Sequence, residues 1–187
     1  VASRIKSSVS TMSRMINDLL AYASAQIGRE IPILPKSANL ENICRVSLDE
    51  IRTIYPDAVF HFESSGNLDG YFDAARIQQV LSNLLNNAVK YGQSGTPVTL
   101  AAAGEAEAII LQVKNFGNAI PPESLQVIFN PLIQLPSNDS NSHSYPDASI
   151  GLGLFIAREI VKGHNGTIQV KSSEADGTVF IIQLPRN

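Results

Sequence analysis

Residues 73–91, DAARIQQVLSNLLNNAVKY, carry the most regular hydrophobic pattern in the chain. The apolar positions follow one another at steps of three and one: Ile77, Val80, Leu81, Leu84, Leu85, Ala88 and Val89. This repeat is typical of one face of an α-helix, and aspartate is favoured at a helix N-cap. The pattern therefore predicts a buried helix over residues 74–91, capped by Asp73.

Three polar side chains, Asn83, Asn87 and Lys90, run along the edge of this apolar face. At 100° per residue, Asn87 lies about 40° from Asn83, and Lys90 about 20° to the other side. Asparagine is a mediocre helix former, so two of them beside a buried face require a reason. A solvated helix face is one interpretation. The other is a nucleotide site, where amide oxygens suit Mg²⁺ and a lysine answers phosphate charge.

A second signal is Gly151-Leu-Gly153, at the start of a helical pattern that reaches about Lys162. Paired glycines let the backbone approach a ligand, and free N–H groups at a helix N-terminus attract phosphate. Gly-x-Gly is also common in ordinary turns, and this one is neither a Walker A sequence nor a full Rossmann fingerprint. Both interpretations stay open on this pattern alone.

A third signal is Asn115-Phe-Gly117, where a predicted strand ends. A polar side chain followed by a glycine turn could read the edge of a nucleotide base. An ordinary strand exit explains the same residues equally well.

The remainder of residues 37–187 alternates between helical and strand patterns. A helix capped by Asn39 is expected over residues 40–54, because Pro56 follows it. The predicted strands are residues 58–63, 68–72, 96–103, 108–115, 167–171 and 178–184. The first two surround a Ser-Ser-Gly-Asn turn, and the other four form two antiparallel pairs. Residues 129–150 are rich in Ser, Asn, Asp and Pro, which predicts a long and poorly ordered loop.

Residues 1–27 form a separate helical pattern with one apolar stripe. The stripe resembles one strand of a coiled coil, which a single helix cannot bury alone. Gly28 is a plausible helix stop, and Pro32 and Pro35 indicate a linker. Because the helical pattern is present from Val1 onward, the chain is expected to be a piece of a longer polypeptide.

Composition excludes several classes of protein. The formal net charge of −3 lacks the basic excess of a nucleic-acid-binding protein. The single cysteine, Cys44, excludes intramolecular disulfides and multi-cysteine metal sites, and its helical context predicts a buried thiol. No apolar stretch suggests a membrane span and no signal peptide is visible, so a cytoplasmic setting is expected.

Taken in order, these motifs resemble those of the sensor histidine kinases of two-component systems. The matching stretches are 73–91 (N box), 115–122 (a phytochrome-kinase-like first glycine box), 128–132 (phenylalanine box), 151–154 (second glycine box) and 177–180 (closing motif). The resemblance covers residues 37–187, the ATP-binding catalytic domain. Residues 1–30 are similar to the second helix of the family's dimerisation hairpin.

The resemblance implies a two-layer α/β sandwich of the Bergerat type, preceded by the N-terminal helix. A mixed, largely antiparallel sheet would be backed by helices. Residues 129–150 would form a lid over bound ATP.

At the phosphate end of the implied site, Asn87 would coordinate Mg²⁺ through its side-chain oxygen. Asn83 would support the metal and phosphates, Lys90 would meet phosphate, and Gly151 and Gly153 would cradle phosphates. At the other end, the resemblance places Tyr91 near the adenine.

Asn115 would read the adenine, Gly117 would let it approach, and Thr178 would back its pocket. The other implied ATP-binding residues are Ala119, Ile120, Phe129, Leu152 and Leu154. Asn115 stands where the family usually has an aspartate, and Ala119 stands where it has a glycine.

The family's activity is transfer of the ATP γ-phosphoryl group to a histidine, then to an aspartate of a response regulator. The implied partners are the protein's own dimerisation and histidine domain, a receiver domain, and a second copy in a homodimer. None of the three histidines has the acceptor context of a following Glu or Asp and a nearby Pro, so the acceptor is expected outside this chain.

Two rival functions remain at this level. ATPases of the gyrase or chaperone type resemble the same fold, but place a glutamate as general base where this chain has Asn83. A degenerate module that signals without catalysis is the other rival, supported by Asn115 and Ala119.

Overall fold

A computed structural model of the chain describes residues 15–16, 18–24, 26–28, 30–134 and 150–186. The described residues between 15 and 26 are helical, and Gly28 follows with a φ of 73°. A left-handed glycine is a common helix end, which confirms the predicted stop. Tyr22 of this N-terminal helix packs edge-to-face on Phe155, with ring centroids 5.9 Å apart.

Beyond the N-terminal helix, the described chain forms four helices and seven strands. The helices are α1 (Leu40–Ile54), α2 (Ala74–Tyr91), α3 (Pro122–Leu125) and α4 (Gly153–Gly163). The strands are β1 (Lys36–Asn39), β2 (Phe60–Ser65), β3 (Asp69–Phe72), β4 (Val98–Gly104), β5 (Ala108–Asn115), β6 (Thr167–Ser173) and β7 (Gly177–Pro185).

Helix α2 has the predicted bounds and the predicted cap. The Asp73 carboxylate accepts a hydrogen bond from the Arg76 N–H at 3.2 Å. Asn39 caps α1 in the same way, accepting from the Asn42 N–H at 3.2 Å. Both helices could be predicted because the cap and the apolar stripe lie within one short stretch of sequence.

Five strands form one sheet in the order β2-β4-β5-β7-β6. Strands β2 and β4 are parallel, and the other neighbours are antiparallel. The buried side chains of α1, α2 and α4 form one core with alternate residues of the sheet, among them Leu100, Leu111 and Ile182. The predicted sandwich with a mixed, largely antiparallel sheet is confirmed.

The strands around the Ser-Ser-Gly-Asn turn do not pair with each other. β3 pairs instead with β1, which was not predicted, in a separate two-stranded sheet. The chain between β2 and β3 lies against the end of β4: Gly66 has a φ of 71°, and a Cβ there would collide with the Gly104 carbonyl. β2 pairs with β4 across the long connection that contains α2, a partner that a turn signal does not reveal.

The proline-containing linker is packed onto the domain. Ile31 is 8% exposed, and Ile33 lies so close to Gly163 that a Cβ there would be 2.6 Å from its side chain. The Leu34 N–H donates to the second carboxylate oxygen of Asp73 at 3.0 Å. The segment from the N-terminal helix therefore lies against α4 and the start of α2.

Cys44 is fully buried in α1, as predicted. Burial, with a smaller contribution from the Glu41 carboxylate, raises the pKa of its thiol from 9.0 to about 12. Between these values the unfolded chain loses a proton that the native protein keeps, so stability is expected to fall as pH rises above 9.0.

We also expect Cys44 to resist thiol reagents while the protein is folded, because the thiolate is the reactive form. A colorimetric thiol assay at pH 8 should detect one thiol only after denaturant is added. Rapid labelling of the native protein would contradict this.

None of the described helices combines the length and hydropathy needed to span a bilayer.

Candidate functional site

The polar stripe of α2 meets the first turn of α4. The Asn83 side-chain N–H donates to the Gly153 carbonyl at 2.9 Å, and Asn83 is 9% exposed. Asn87 follows one turn later and is half-buried, while Lys90 is exposed. Asn83 is therefore not on a solvated face, and two motifs that the sequence predicted separately lie together.

The turn at the N-terminus of α4 lies against residues 132 and 133. Gly151 has a φ of 75°, and a Cβ there would lie 2.7 Å from the Ile133 carbonyl oxygen. The Leu132 N–H donates to the Gly151 carbonyl at 2.9 Å. Leu152 is 1% exposed and anchors the turn in the core, with half-buried Leu154 following. This geometry leaves the free N–H groups of the first turn of α4 beside Asn83.

Both ends of the predicted lid lie beside the turn that precedes α4. Residues 135–149 lie outside the described residues, so the prediction of a poorly ordered lid over 129–150 stays a prediction. Phe129 is described: it is 9% exposed and packs edge-to-face on Phe180, with ring centroids 6.2 Å apart. Its observed contact is with the core.

At another edge of the site, the end of β5 lies beside the start of β7. Asn115 and Thr178 are directly paired in the two strands and are 5% and 6% exposed. The Asn115 side-chain N–H donates to the Phe116 carbonyl at 3.4 Å, a long and weak hydrogen bond. Gly177 has a φ of 76°, and a Cβ there would collide with the Asn115 carbonyl.

The turn after β5 packs directly on the end of α2. A Cβ at Gly117 would collide with the Tyr91 carbonyl, so only glycine permits this approach. The Gln93 N–H donates to the Phe116 carbonyl at 2.6 Å, and the Lys90 Nζ lies 5.1 Å from the centre of the Tyr91 ring. The C-terminal end of α2 is thus joined to the end of β5, where Asn115 lies.

Sequence reasoning missed Ser172, which connects two of these elements. Its Oγ accepts a hydrogen bond from the Ile120 N–H at 2.9 Å and lies 2.6 Å from the Thr178 Oγ1. Next to it, the Ala119 N–H donates to a Glu174 carboxylate oxygen at 3.4 Å. The sequence shows only a serine six residues before Thr178 in the predicted hairpin. A serine in a strand does not by itself indicate a functional role.

A family model described as histidine kinase-, DNA gyrase B- and HSP90-like ATPase matches residues 72–187. The chain belongs to this family. It is 31% identical over 184 residues to the adaptive-response sensory kinase SasA of Thermosynechococcus vestitus, covering 96% of this chain and 47% of the relative. It is 36% identical over 115 residues to the sensor protein SrrB of Staphylococcus aureus, covering 62% of this chain and 19% of the relative. The chain spans about half, or less, of the length of these relatives.

Solved structures of histidine kinases share the fold. The catalytic domain of histidine kinase ThkA has a TM-score of 0.67 at 28% identity, covering 82% of this chain and 96% of that one. The complex of ThkA with the response regulator protein TrrA has a TM-score of 0.73 at 26% identity, covering 98% and 49%. Full-length ShkA in complex with AMPPNP has a TM-score of 0.77 at 21% identity, covering 98% and 37%, and is similar in fold alone.

In this histidine kinase-like ATPase domain, a second contact joins the N-terminal end of α2 to the C-terminal end of α4. The ring Nε2 of His164, which is 7% exposed, accepts a hydrogen bond from the Asp73 N–H at 3.0 Å. Its Nδ1 lies 2.9 Å from the Ile160 carbonyl and donates to it in the matching tautomer. Asn83 and His164 therefore connect the two ends of α4 to the middle and to the N-terminal end of α2.

Proposed function

We propose that this chain is the ATP-binding catalytic domain of a sensor histidine kinase, which binds Mg²⁺-ATP and donates its γ-phosphoryl group to a histidine. The observation that carries the proposal is the hydrogen bond between Asn83 and Gly153. It joins the polar stripe of α2 to a glycine-rich helix N-terminus, which is the combination that phosphate groups and a hard cation require. Family membership supports the same conclusion.

The phosphates would lie at the N-terminus of α4, with Lys90 supplying positive charge. Phosphoryl transfer needs mainly positioning and charge neutralisation, so the domain's task is to hold the chain of phosphates in place. Gly151 and Gly153 allow the backbone N–H groups to approach them, because neither carries a Cβ.

Asn87 would hold Mg²⁺ through its amide oxygen. The fit rests on donor chemistry: Mg²⁺ prefers oxygen ligands and often uses few protein groups together with phosphate oxygens. Within the described ranges, no group of three or more His, Cys, Asp or Glu side chains could hold a metal by itself. When bound, the ion would neutralise charge that develops on the phosphates.

The adenine would lie against Asn115 and Thr178, with Gly117 at its edge and Tyr91 nearby. The two buried polar side chains are adjacent on paired strands and offer both a donor and an acceptor. Ala119 and Ile120 would complete the wall of the adenine pocket, whereas Phe129, Leu152 and Leu154 would support the ATP site from the core and the start of α4.

Transfer to a histidine is favoured over hydrolysis of ATP. The position of the general base in gyrase-type ATPases is Asn83 here, and an amide cannot take a proton from water at neutral pH. Its N–H group is also engaged with the Gly153 carbonyl. We therefore expect the domain to hydrolyse ATP slowly.

The proposed partners are a histidine-bearing dimerisation hairpin, a response regulator receiver domain and a second copy of the protein. Four apolar side chains on or just after the N-terminal helix are exposed: Ile16 (55%), Leu19 (46%), Leu20 (61%) and Ile27 (69%). Such a stripe suits a partner helix. We propose a cytoplasmic setting, because the proposed function needs ATP and a receiver domain.

The isolated chain should not phosphorylate itself. His164 is buried and hydrogen-bonded at both ring nitrogens, and His61 lies on β2. Incubation with γ-labelled ATP and Mg²⁺ should leave no acid-labile label on the chain. Label that maps to His61 or to His143 would contradict this prediction.

The kinase proposal is tested by adding a separate dimerisation hairpin that carries a histidine followed by Glu or Asp. We expect acid-labile label on the hairpin histidine, and none when that histidine is replaced by glutamine. Binding of ATP without transfer to any tested hairpin would favour the module that signals without catalysis.

A further inference from the structure

Three hydrogen-bonding groups, the Ile120 N–H and the hydroxyls of Ser172 and Thr178, form a continuous row. The Ile120 N–H donates to the Ser172 Oγ at 2.9 Å, and the Ser172 Oγ lies 2.6 Å from the Thr178 Oγ1. Thr178 is 6% exposed, so solvent has little access to its hydroxyl group, whereas Ser172 is half-buried. Ser172 therefore connects the turn after β5 to the start of β7.

The row holds two hydroxyl hydrogens and only one hydrogen bond between them, so one hydrogen is left for a partner outside the row. A backbone N–H can only donate, so one lone pair of the Ser172 oxygen is occupied. Among the hydrogen bonds of the described residues, neither hydroxyl hydrogen has an acceptor other than its partner in this pair, whose oxygens are 2.6 Å apart. Either hydroxyl can be the donor, and a ligand acceptor at Thr178 selects the arrangement in which Ser172 donates to Thr178. The Thr178 hydrogen is then directed away from Ser172, and successive bonds of this kind reinforce one another.

We propose that Ser172 is a positioning residue which directs the Thr178 hydroxyl hydrogen toward the nucleobase and so gives the site its preference for adenine. The inference rests on the proposed function, because it assumes that a purine lies at Asn115 and Thr178. Ser172 itself acts through Thr178.

The direction of the Thr178 hydroxyl hydrogen matters because adenine and guanine present different hydrogen-bonding groups. Adenine presents an amino donor beside a ring-nitrogen acceptor, whereas guanine presents a carbonyl acceptor beside a ring N–H donor. With its side-chain N–H toward Phe116, Asn115 is left with its oxygen as the acceptor for an amino group. A donating Thr178 hydroxyl complements the adjacent ring nitrogen of adenine and opposes the ring N–H of guanine.

The test compares Ser172→Ala with Ser172→Thr and with Ser173→Ala. Ser172→Thr keeps the hydroxyl group. Ser173→Ala removes the same atom from the neighbouring residue, whose hydroxyl bonds Asp176 instead of Thr178. ATP, GTP and inorganic tripolyphosphate are each measured in Mg²⁺ by competition against a fluorescent ATP analogue, and thermal unfolding confirms that each variant is folded.

Loss of one directing hydrogen bond should reduce the ratio of ATP to GTP affinity by about three- to tenfold in Ser172→Ala. Ser172→Thr and Ser173→Ala should keep the native ratio, and tripolyphosphate should bind equally to all four proteins. An unchanged ratio in Ser172→Ala, or equal weakening of all three ligands, would overturn the inference. If the native chain binds no ATP, the proposed function itself fails, so the two failures are distinguishable.

Discussion

Asn87→Ala is expected to weaken binding of Mg²⁺-ATP by about a hundredfold or more. Replacing residues that merely orient a metal ligand commonly costs 10–100-fold in metal affinity, and loss of the ligand itself should cost no less. Within the described residues no carboxylate cluster offers a substitute. Isothermal calorimetry in Mg²⁺ and in EDTA measures the effect, which should be confined to the Mg²⁺ arm.

Asn86→Ala is the matched control for this variant. It removes the same amide one position earlier, from a side chain that accepts from the Tyr55 hydroxyl at 3.0 Å and donates to the Ser82 carbonyl at 2.6 Å. Asn86→Ala should cost some stability and leave nucleotide affinity near the native value. Equal Mg²⁺-ATP affinity in native and Asn87→Ala proteins would remove Asn87 from the metal site.

Asn115→Asp should increase the preference for ATP over GTP by about ten- to a hundredfold. A carboxylate can only accept hydrogen bonds, so it favours the adenine amino group and repels the guanine carbonyl. The native amide is held only by a 3.4 Å bond to the Phe116 carbonyl, so it can rotate and offer its donor to guanine. A lost or repulsive buried polar contact costs about 1–3 kcal/mol, which corresponds to this range.

Asn118→Asp controls for the added charge. Asn118 lies in the same turn and is exposed, so its replacement introduces the same charge without facing Thr178. Competition binding of ATP and GTP to the three proteins should change the ratio only in Asn115→Asp. If the native chain already rejects GTP as strongly as Asn115→Asp does, the rotation argument is wrong.

The two side chains proposed to read the purine differ in how firmly they are held. Asn115 has a weak partner, whereas Thr178 lies 2.6 Å from Ser172. The Asn115 amide is therefore expected to accept either purine, and the Thr178 hydroxyl to favour adenine. This is why variants at Asn115 and Ser172 should shift the ATP to GTP ratio in opposite directions.

The sequence was sufficient wherever the deciding interactions are local. The cap and apolar stripe of α2 lie within 19 consecutive residues, 73–91, and both were confirmed. The antiparallel pairs β4–β5 and β6–β7 could be predicted because a short turn joins each pair. The motif order was also enough to identify the family, since the same residues in the same order impose the same fold.

The tertiary structure decided whatever depends on residues far apart in the chain. Asn83 meets Gly153 across 70 positions, and Ile120 meets Ser172 across 52. The β1–β3 pair and the packing of the linker on α4 belong to the same class. Sequence patterns record which face of an element is apolar, but they do not record which other element that face meets. A hydrogen bond between distant residues adds no periodicity to either stretch, so Ser172 became a candidate only when the sheet brought it beside Thr178.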